Sequence, residues 1–268
     1  MDKKVVVITG ASSGIGMACA KEFASRGYIV SMGARSIETL NDIKKELEKS
    51  GYTAMATKTD VSKEQDCKNL IESTIQSFGR IDILINNAGI SMRALFKDVQ
   101  ISVIRKLMEV NFFGTVNCSK YAFPYLLENN GSLVGITSIA GFHGLPGRTG
   151  YSASKFAIHG LLETIRIENL RDGLHVMIAA PGFTASNVRK SALLADGSPQ
   201  GESPRSEDTM MKPEEVAVRI YKGVKYRRRN IILTHEGKFS VLMQRILPNT
   251  LDKIFYSHMA REKNSPFK

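Results

Sequence analysis

The chain has few cysteines, and none is placed where it could tie a fold together. Its 268 residues include three, Cys19, Cys67 and Cys118. They lie far apart, form no Cys-x-x-Cys pair and have no histidine at the spacing of zinc ligands. The sequence therefore predicts neither a disulfide framework nor a metal site.

Long apolar runs are also missing. Four apolar residues, 5–8, follow the charged N-terminal residues, which is short of the ~7–15 residues of a signal-peptide core. The longest uncharged stretch, 129–147, contains five glycines and Pro146 and is poorly suited to span a membrane. We therefore expect a cytoplasmic protein without a transmembrane helix.

Acidic residues are scarce near the C-terminus. The net charge is +11, and residues 219–268 contain twelve Lys or Arg against three acids, a local charge of +9. A surplus of this kind is either a solvated face or an attraction for an anionic partner, such as a membrane surface, an acidic carrier protein or nucleic acid.

The remaining composition is that of a globular chain, with 43% hydrophobic and 24% charged residues. Short apolar runs alternate with amphipathic stretches of helical length. Strands separated in this way cannot pair as hairpins, so the sequence predicts the α/β class with one Rossmann-type, doubly wound domain around a seven-stranded parallel sheet. The predicted strands are 5–9, 28–32, 54–57, 81–85, 133–136, 175–179 and 231–233. The predicted helices are 15–26, 37–50, 64–78, 101–127, 151–171 and 213–226.

Two segments depart from this alternation. Residues 184–211 are rich in Ser, Gly, Asp, Pro and Glu and are predicted to form a long mobile loop. Within 238–263, apolar residues recur at helical spacing with basic residues between them, interrupted by Pro248. We assign 1–235 to the main domain and 236–268 to a basic, amphipathic, helical C-terminal extension. The extension packs on the domain or a partner subunit, docks on an anionic membrane, or closes over the substrate.

A glycine-rich turn follows the first predicted strand and opens a helix. It reads Thr9-Gly10-Ala11-Ser12-Ser13-Gly14-Ile15-Gly16. Glycines at these positions permit a tight turn and close approach to a pyrophosphate, while the helix N-terminus supplies N–H groups. This position predicts dinucleotide binding, although a bare turn is the alternative.

The end of the second predicted strand favours a phosphorylated dinucleotide. An acid there would bind the ribose hydroxyls of NAD, but the chain reads Gly33-Ala34-Arg35-Ser36. Arg35 would bind a 2′-phosphate, so we expect NADP(H); an exposed arginine at a helix start is the alternative. Asp60-Val61 either caps the next helix or faces the adenine.

The residues that carry chemistry are Ser138, Tyr151 and Lys155. Tyr151 and Lys155 lie four apart at the start of a predicted helix and so share one face. A phenol with a pKa of ~10 is a poor base near neutrality, and a neighbouring ammonium would favour its phenolate. Ser138, just beyond a predicted strand, would hold a carbonyl or hydroxyl oxygen beside Tyr151.

In these motifs the chain resembles the short-chain dehydrogenases/reductases of the NADP-preferring type, over residues 4 to 235. The turn at Gly10, Asn86-Asn87-Ala88-Gly89, Asn111, Ser138, Tyr151, Lys155 and Pro181-Gly182 stand in the family's order and spacing. The resemblance implies a catalytic set of Asn111, Ser138, Tyr151 and Lys155. In that set Tyr151 is the general acid/base, Lys155 lowers its pKa and binds the nicotinamide ribose, and Asn111 holds a water.

The resemblance extends to the cofactor. Ser186 stands where the family often has threonine, and Thr184 stands where it commonly has an aliphatic residue. The hydroxyl of Ser186 could still bond the cofactor, but the resemblance leaves that one contact undecided. The predicted cofactor contacts are Gly10, Ser12, Ser13, Gly14, Ile15, Gly16, Arg35, Ser36, Asp60, Val61, Asn87, Ala88, Gly89, Tyr151, Lys155, Pro181, Gly182, Phe183, Thr184 and Ser186.

Substrate and partners are less well defined by sequence. We expect the loop 184–212 to fold over a hydrophobic, lipid-like ketone or secondary alcohol, in a pocket walled by Met92, Phe142, His143, Leu145 and Phe183. The alternatives are a 3-oxoacyl-carrier-protein reductase and, from another class, a non-catalytic dinucleotide-sensing module. A homodimer or homotetramer built on the long helices 101–127 and 151–171 is implied by the resemblance, and no nucleic-acid partner is expected.

Overall fold

A computed structural model describes residues 3–186, 188–203, 210–262 and 265–267. It contains one seven-stranded parallel sheet in the order β3-β2-β1-β4-β5-β6-β7, which confirms the predicted fold class. The strands are β1 Val5–Thr9, β2 Ile29–Ala34, β3 Ala54–Lys58, β4 Ile83–Asn86, β5 Ser132–Ile136, β6 His175–Ala180 and β7 Asn230–Ile232. No described helix is long and apolar enough to cross a membrane.

Helices cover both faces of the sheet. They are α1 Gly14–Ser25, α2 Ile37–Lys49, α3 Glu64–Phe78, α4 Ile101–Leu107, α5 Gly114–Glu128, α6 Thr149–Glu168, α7 Pro213–Lys225, α8 His235–Ile246 and α9 Pro248–Ala260. One core packs α1, α2 and α7 on one face, and a second packs α3, α5 and α6 on the other. The five inner strands, β2, β1, β4, β5 and β6, are buried on both sides, which is why they read as nearly continuous apolar runs.

The helix predicted over 101–127 is one helical path interrupted by a π-helix. The π-helix spans Met108–Phe113, between α4 and α5. Short π-helical insertions of this kind are frequent at functional sites. The one at this position contains Asn111, which is fully buried.

The strand order indicates where on the sheet a ligand would bind. The direction of winding reverses between β1 and β4, and in open parallel sheets ligands bind beyond the carboxyl ends of the strands at such a point. Six of the strand ends, those of β1 to β6, are followed by residues of the predicted site, beginning with Gly10, Arg35, Asp60, Asn87, Ser138 and Pro181.

The two irregular segments of the sequence lie at this same edge. Between β6 and α7 the described residues form no helix or strand, but Leu193 is buried and bridges to Met92 in a small third core with Leu107. The extension forms two helices, α8 and α9, rather than one, because Leu247 leaves the helical conformation before Pro248. Residues 187 and 204–209 of the predicted loop, and 263, 264 and 268 of the extension, lie outside the described residues.

Candidate active site

A single cleft of about 360 Å³ runs along the carboxyl edge of the sheet and gathers nearly all the predicted site residues. Ser138 and all predicted cofactor contacts except Gly16 line it. Gly16 and Asn111 instead lie behind its wall. The predicted residues that line the cleft are Gly10, Ser12, Ser13, Gly14, Ile15, Arg35, Ser36, Asp60, Val61, Asn87, Ala88, Gly89, Ser138, Tyr151, Lys155, Pro181, Gly182, Phe183, Thr184 and Ser186.

The glycine-rich turn is shaped for close packing and for a diphosphate. Gly10 and Gly14 have φ of 66° and 53°, in the region that disfavours side chains. A Cβ at Gly16 would lie 2.3 Å from the Gly10 carbonyl oxygen, so Gly16 serves the packing of α1 and does not line the cleft. The N-cap Ser13 makes no side-chain cap bond. The first-turn N–H groups of α1 therefore fit an anionic ligand.

The Asn86-to-Gly89 segment is more than a connecting turn. The Asn87 side-chain amide donates to the carbonyls of Thr9 and Gly10 at 3.0 and 3.1 Å. The backbone N–H groups of Asn87 and Ala88 both donate to the Thr9 hydroxyl at 3.1 Å. These bonds fasten the glycine-rich turn to the end of β4.

Arg35 and Asp60 stand at the end of the cleft beyond β2 and β3. Arg35 is exposed and lines the cleft with Ser36. Burial acts to raise the pKa of Asp60, but hydrogen bonds from Ser62 and the charges of Arg35 and Lys63 outweigh it, and the pKa lies below its usual value. Asp60 accepts from Ser62 ahead of α3 and also lines the cleft. The N-cap residue of α3 is Lys63, not Asp60, and the contact of Asp60 with the adenine stays a prediction.

Ser138, Tyr151 and Lys155 meet at the carboxyl end of β5, as their spacing predicts. The Ser138 hydroxyl accepts from the Ala140 N–H at 3.2 Å. Lys155 Nζ lies 5.7 Å from the Tyr151 ring centroid and donates to the Ile136 carbonyl at 2.9 Å. The lysine thus ties α6 to β5 while all three side chains line one cleft.

Asn111 acts from behind this group. Its side-chain oxygen accepts from the Ile90 N–H at 2.8 Å, and its amide donates to the Ile90 carbonyl at 3.0 Å and to the Ser154 hydroxyl at 2.9 Å. The side chain therefore fixes the backbone after β4 against α6. Asn111 does not line the cleft, and its place in the catalytic set stays a prediction.

The pKa of Tyr151 in the free protein is raised, whereas the sequence predicted that Lys155 would lower it. Burial raises the pKa of Tyr151 above its usual value, although a hydrogen bond from Ser138 and the charge of Arg148 act to lower it. Burial also lowers the pKa of Lys155, to about 8. Near neutral pH the free protein therefore holds Tyr151 as a phenol, the form that can give a proton to a carbonyl oxygen.

The burial of Lys155 predicts a pH-dependent cost to stability. Its folded pKa of about 8 lies below the unfolded value. Below pH 8 the buried ammonium therefore lowers the free energy of unfolding by roughly 3 kcal/mol, and this stability is regained as pH rises toward 10.5. Lys155→Met should therefore unfold with a higher free energy than the wild type at pH 7, with the difference shrinking by pH 10. Urea denaturation at both pH values measures this.

The matched control is Lys120→Met, on an exposed position of α5. Its free-energy difference from the wild type should be similar at both pH values. If Lys155→Met also differs from the wild type by the same amount at pH 7 and pH 10, Lys155 is not held in the site at a depressed pKa.

The segment after β6 folds back on itself along the cleft. The Ser186 hydroxyl donates to the Thr184 carbonyl at 3.4 Å, and Arg189 Nη2 donates to the same carbonyl at 2.8 Å. A Cβ at Gly182 would lie 2.6 Å from the Thr234 side chain, which caps α8. Residues 181–186 are therefore held between the loop and the extension.

Three of the five predicted pocket-wall residues do not line the cleft. Met92 is fully buried in the third core. Phe142 packs edge-on against the His159 ring at 4.4 Å. His143 stacks on Phe255 of α9 at 4.7 Å and bonds to Gln244 of α8. The extension therefore covers His143, α6 covers Phe142, and Leu145 and Phe183 remain on the cleft.

Sequence reasoning missed three charged residues on the cleft. Arg148, Arg189 and Glu262 line it together with Tyr151. Arg148 is the N-cap residue of α6, three positions before Tyr151, and that proximity was the available signal. Arg189 and Glu262 lie in the irregular loop and beyond α9, where no motif marks them.

Comparison with protein families matches residues 4–196 to the short chain dehydrogenase model. A mouse protein, dehydrogenase/reductase SDR family member 7B, is 32% identical over 97% of this chain and 83% of its own length. The 11-beta-hydroxysteroid dehydrogenase A of Arachis hypogaea is 39% identical over 76% of this chain and 58% of that protein.

A solved structure is also similar to this chain. An alcohol dehydrogenase of the archaeon Thermococcus sibiricus, complexed with 5-hydroxy-NADP, is 26% identical, with a TM-score of 0.75 over 87% of this chain and 96% of that one.

Proposed function

The chain belongs to the short-chain dehydrogenase/reductase family, and from that premise we propose that it interconverts a ketone and a secondary alcohol with NADP(H), using Tyr151 as the general acid/base. As a family member it is an oxidoreductase acting on CH–OH groups. The observation that carries the proposal is the placing of Ser138, Tyr151 and Lys155 in the same cleft as the glycine-rich turn. A sensing module has no need of this set.

The chain's own residues supply position and protons. The nicotinamide cofactor supplies the hydride when it is bound. The Ser138 hydroxyl holds the substrate oxygen, and the Tyr151 hydroxyl gives that oxygen its proton during reduction and takes it back during oxidation. Lys155, fixed by the Ile136 carbonyl, keeps positive charge beneath the tyrosine and becomes neutral as pH rises past about 8.

The preference for NADP(H) rests on Arg35 and Ser36. They follow β2 on the cleft, where no carboxylate stands in their place, and the guanidinium suits a 2′-phosphate. Arg35→Ala should raise the Kd for NADPH by about 10- to 100-fold, because a charged hydrogen-bonding contact is worth ~1.5–3 kcal/mol. Fluorescence titration of the purified chain with NADPH and NADH measures it.

The control for this prediction is Arg219→Ala, an exposed arginine on α7 away from the cleft. Its Kd for NADPH should match the wild type, and the Kd of Arg35→Ala for NADH should change little. If Arg35→Ala lost affinity for NADPH and NADH equally, or for neither, Arg35 would not bind the 2′-phosphate.

The substrate we propose has an apolar body. Leu145, Phe183 and Val188 line the same cleft as Tyr151 and Ser138, and the Arachis hypogaea relative is named as a hydroxysteroid dehydrogenase. A lipid-like ketone or secondary alcohol fits these contacts better than a free sugar.

Self-association through α5 and α6 is also part of the proposal. Phe156 on α6 is 46% exposed and Phe113, just before α5, is 44% exposed, and large apolar side chains of this kind mark interfaces. Light scattering of the purified chain should give at least a dimer, and Phe156→Glu should lower the mass. A monomeric wild type would remove this part of the proposal.

A further inference from the structure

A buried histidine lies on α6 one turn beyond Lys155. His159 follows Tyr151 and Lys155 at intervals of four residues, and this spacing puts the three side chains along one face of the helix. His159 is 8% exposed and does not line the cleft. A polar ring buried to this degree is expected to hold a specific hydrogen bond, and the proposed reaction does not use the residue directly.

The hydrogen bond of His159 is made to the residue before Ser138. Its Nε2 lies 3.0 Å from the Thr137 hydroxyl. That hydroxyl donates to the Ala179 carbonyl at 3.3 Å, so its oxygen accepts from the ring and His159 is the donor. The Thr137 backbone N–H donates to the same carbonyl at 2.7 Å. The end of β5 is therefore tied to β6 on one side and to α6, through His159, on the other.

The ring of His159 also packs against the residues after Ser138. Ser138 is the N-cap of a short 3-10 turn that includes Gly141. A Cβ at Gly141 would lie 2.7 Å from His159 Nε2, so only a glycine lets the turn approach the ring this closely. Phe142 meets the ring edge-on, with 4.4 Å between the ring centroids. His159 therefore contacts the chain on both sides of Ser138.

The ring of His159 is neutral near pH 7. Burial lowers its pKa to about 4, and the positive charges of Lys155 and Arg166 on the same helix act in the same direction. The groups that face it from β5 and the turn, Thr137 and Phe142, carry no charge. His159 thus supplies one N–H in a fixed orientation and adds no second cation beside Lys155.

We propose that His159 is a positioning residue for the reduction, which sets the distance between the Ser138 hydroxyl on the turn and the Tyr151 hydroxyl on α6. The two hydroxyls belong to different elements and must reach the same substrate oxygen. A misplacement of about 1 Å can lower a rate about 10²-fold. The inference rests on the proposed function and deepens it.

Two replacements of His159 separate its N–H group from its packing. His159→Gln places an amide N–H near the position of Nε2, whereas His159→Leu has no donor. In NADPH-dependent ketone reduction by the full chain, His159→Leu should lower kcat by about 10- to 100-fold, as expected for a misplaced hydroxyl. His159→Gln should keep most of the wild-type kcat. Both variants should bind NADPH with the Kd of the wild type.

The matched control is a second buried histidine, away from the cleft. His175 is 6% exposed, and its ring is bonded to the Ser132 hydroxyl at the start of β5. His175→Leu removes a similar ring and a similar bond, and should keep the wild-type kcat. Equal loss of kcat in His159→Leu, His159→Gln and His175→Leu would mean that packing alone matters, and would overturn the inference.

A second variant guards against a His159→Leu chain that does not fold. Thr137→Val removes the same hydrogen bond from the other side and should lower kcat by a similar factor. Because both changes remove one bond, His159→Leu should cost little more in the Thr137→Val background. If the two losses multiply instead, His159 does not act through Thr137, and the inference is wrong.

Fluorine NMR tests the inference without turnover. In a chain labelled with 3-fluorotyrosine, the Tyr151 signal is the one missing from Tyr151→Phe. His159 lies eight residues, about 12 Å along the helix axis, from Tyr151, so its ring is too far away to act on that signal directly. The signal should move in His159→Leu and stay at the wild-type position in His159→Gln and His175→Leu.

The two readouts separate this inference from the proposed function. A Tyr151 signal that moves only in His159→Leu, in a chain that reduces no ketone, would keep the positioning role and remove the reductase. Ketone reduction by the wild type, with full kcat and an unmoved Tyr151 signal in His159→Leu, would keep the reductase and overturn the positioning role.

Discussion

Replacing Tyr151 with phenylalanine should lower kcat/KM for ketone reduction by NADPH roughly 10²- to 10⁴-fold, the usual contribution of a positioned proton donor. The substitution removes one hydroxyl from the cleft and leaves the ring on α6 in place. Steady-state reduction near pH 7 measures the loss, because at that pH the raised pKa keeps Tyr151 protonated.

Binding separates a chemical loss from a structural one. Tyr151→Phe should bind NADPH with a Kd close to that of the wild type, and Tyr226→Phe, an exposed tyrosine after α7, should keep full activity. Retention of more than about a tenth of wild-type turnover by Tyr151→Phe would mean that another group donates the proton, since general acid catalysis contributes at least ~10².

Gly16→Ala should strongly weaken NADPH binding, although Gly16 does not line the cleft. The added Cβ would lie 2.3 Å from the Gly10 carbonyl oxygen and 2.5 Å from the Asn87 side-chain amide, and both groups shape the turn. Overpacking of this kind costs about 1–3 kcal/mol. If the turn absorbs the strain, NADPH binds about 5- to 150-fold more weakly.

The matched control is another glycine to alanine change in a helix. Gly160 lies inside α6, and nothing lies within 4 Å of a Cβ built there. Gly160→Ala should raise stability by up to ~1 kcal/mol through helix propensity and leave the Kd for NADPH unchanged. Wild-type affinity in Gly16→Ala would show that close packing of α1 on the turn is not needed for the cofactor.

The sheet could be predicted from sequence because its inner strands are buried on both faces. Val5–Thr9 and the run that became β6 read as uninterrupted apolar stretches, and the helices between them have one apolar face. The π-helix at Met108–Phe113 could not be predicted, since the apolar spacing of 101–127 continues through it. Asn111 is held there by bonds to Ile90 and Ser154, which are far away in sequence.

The residues of the cleft also differ in how far the sequence could predict them. The part of the cleft predicted to bind the dinucleotide is built from local motifs directly after strands, such as Gly10 to Gly16 and Arg35, and the spacing of those motifs was enough to predict that they lie together. Arg148, Arg189 and Glu262 also line the cleft, but they come from three separate segments of the chain. His143 was assigned to the pocket, but α9 supplies Phe255 to cover it, and such a contact leaves no local pattern.

The most direct test is NADPH oxidation by the purified chain in the presence of a steroid ketone, an aromatic ketone and a 3-oxoacyl thioester, with NADH in parallel. The last substrate is included because the basic residues of 219–268 suit an acidic carrier. We predict ketone-dependent oxidation of NADPH well above that of NADH, and its loss in Tyr151→Phe. Oxidation of neither cofactor with any ketone, by a chain that binds NADPH, would contradict the proposed reaction.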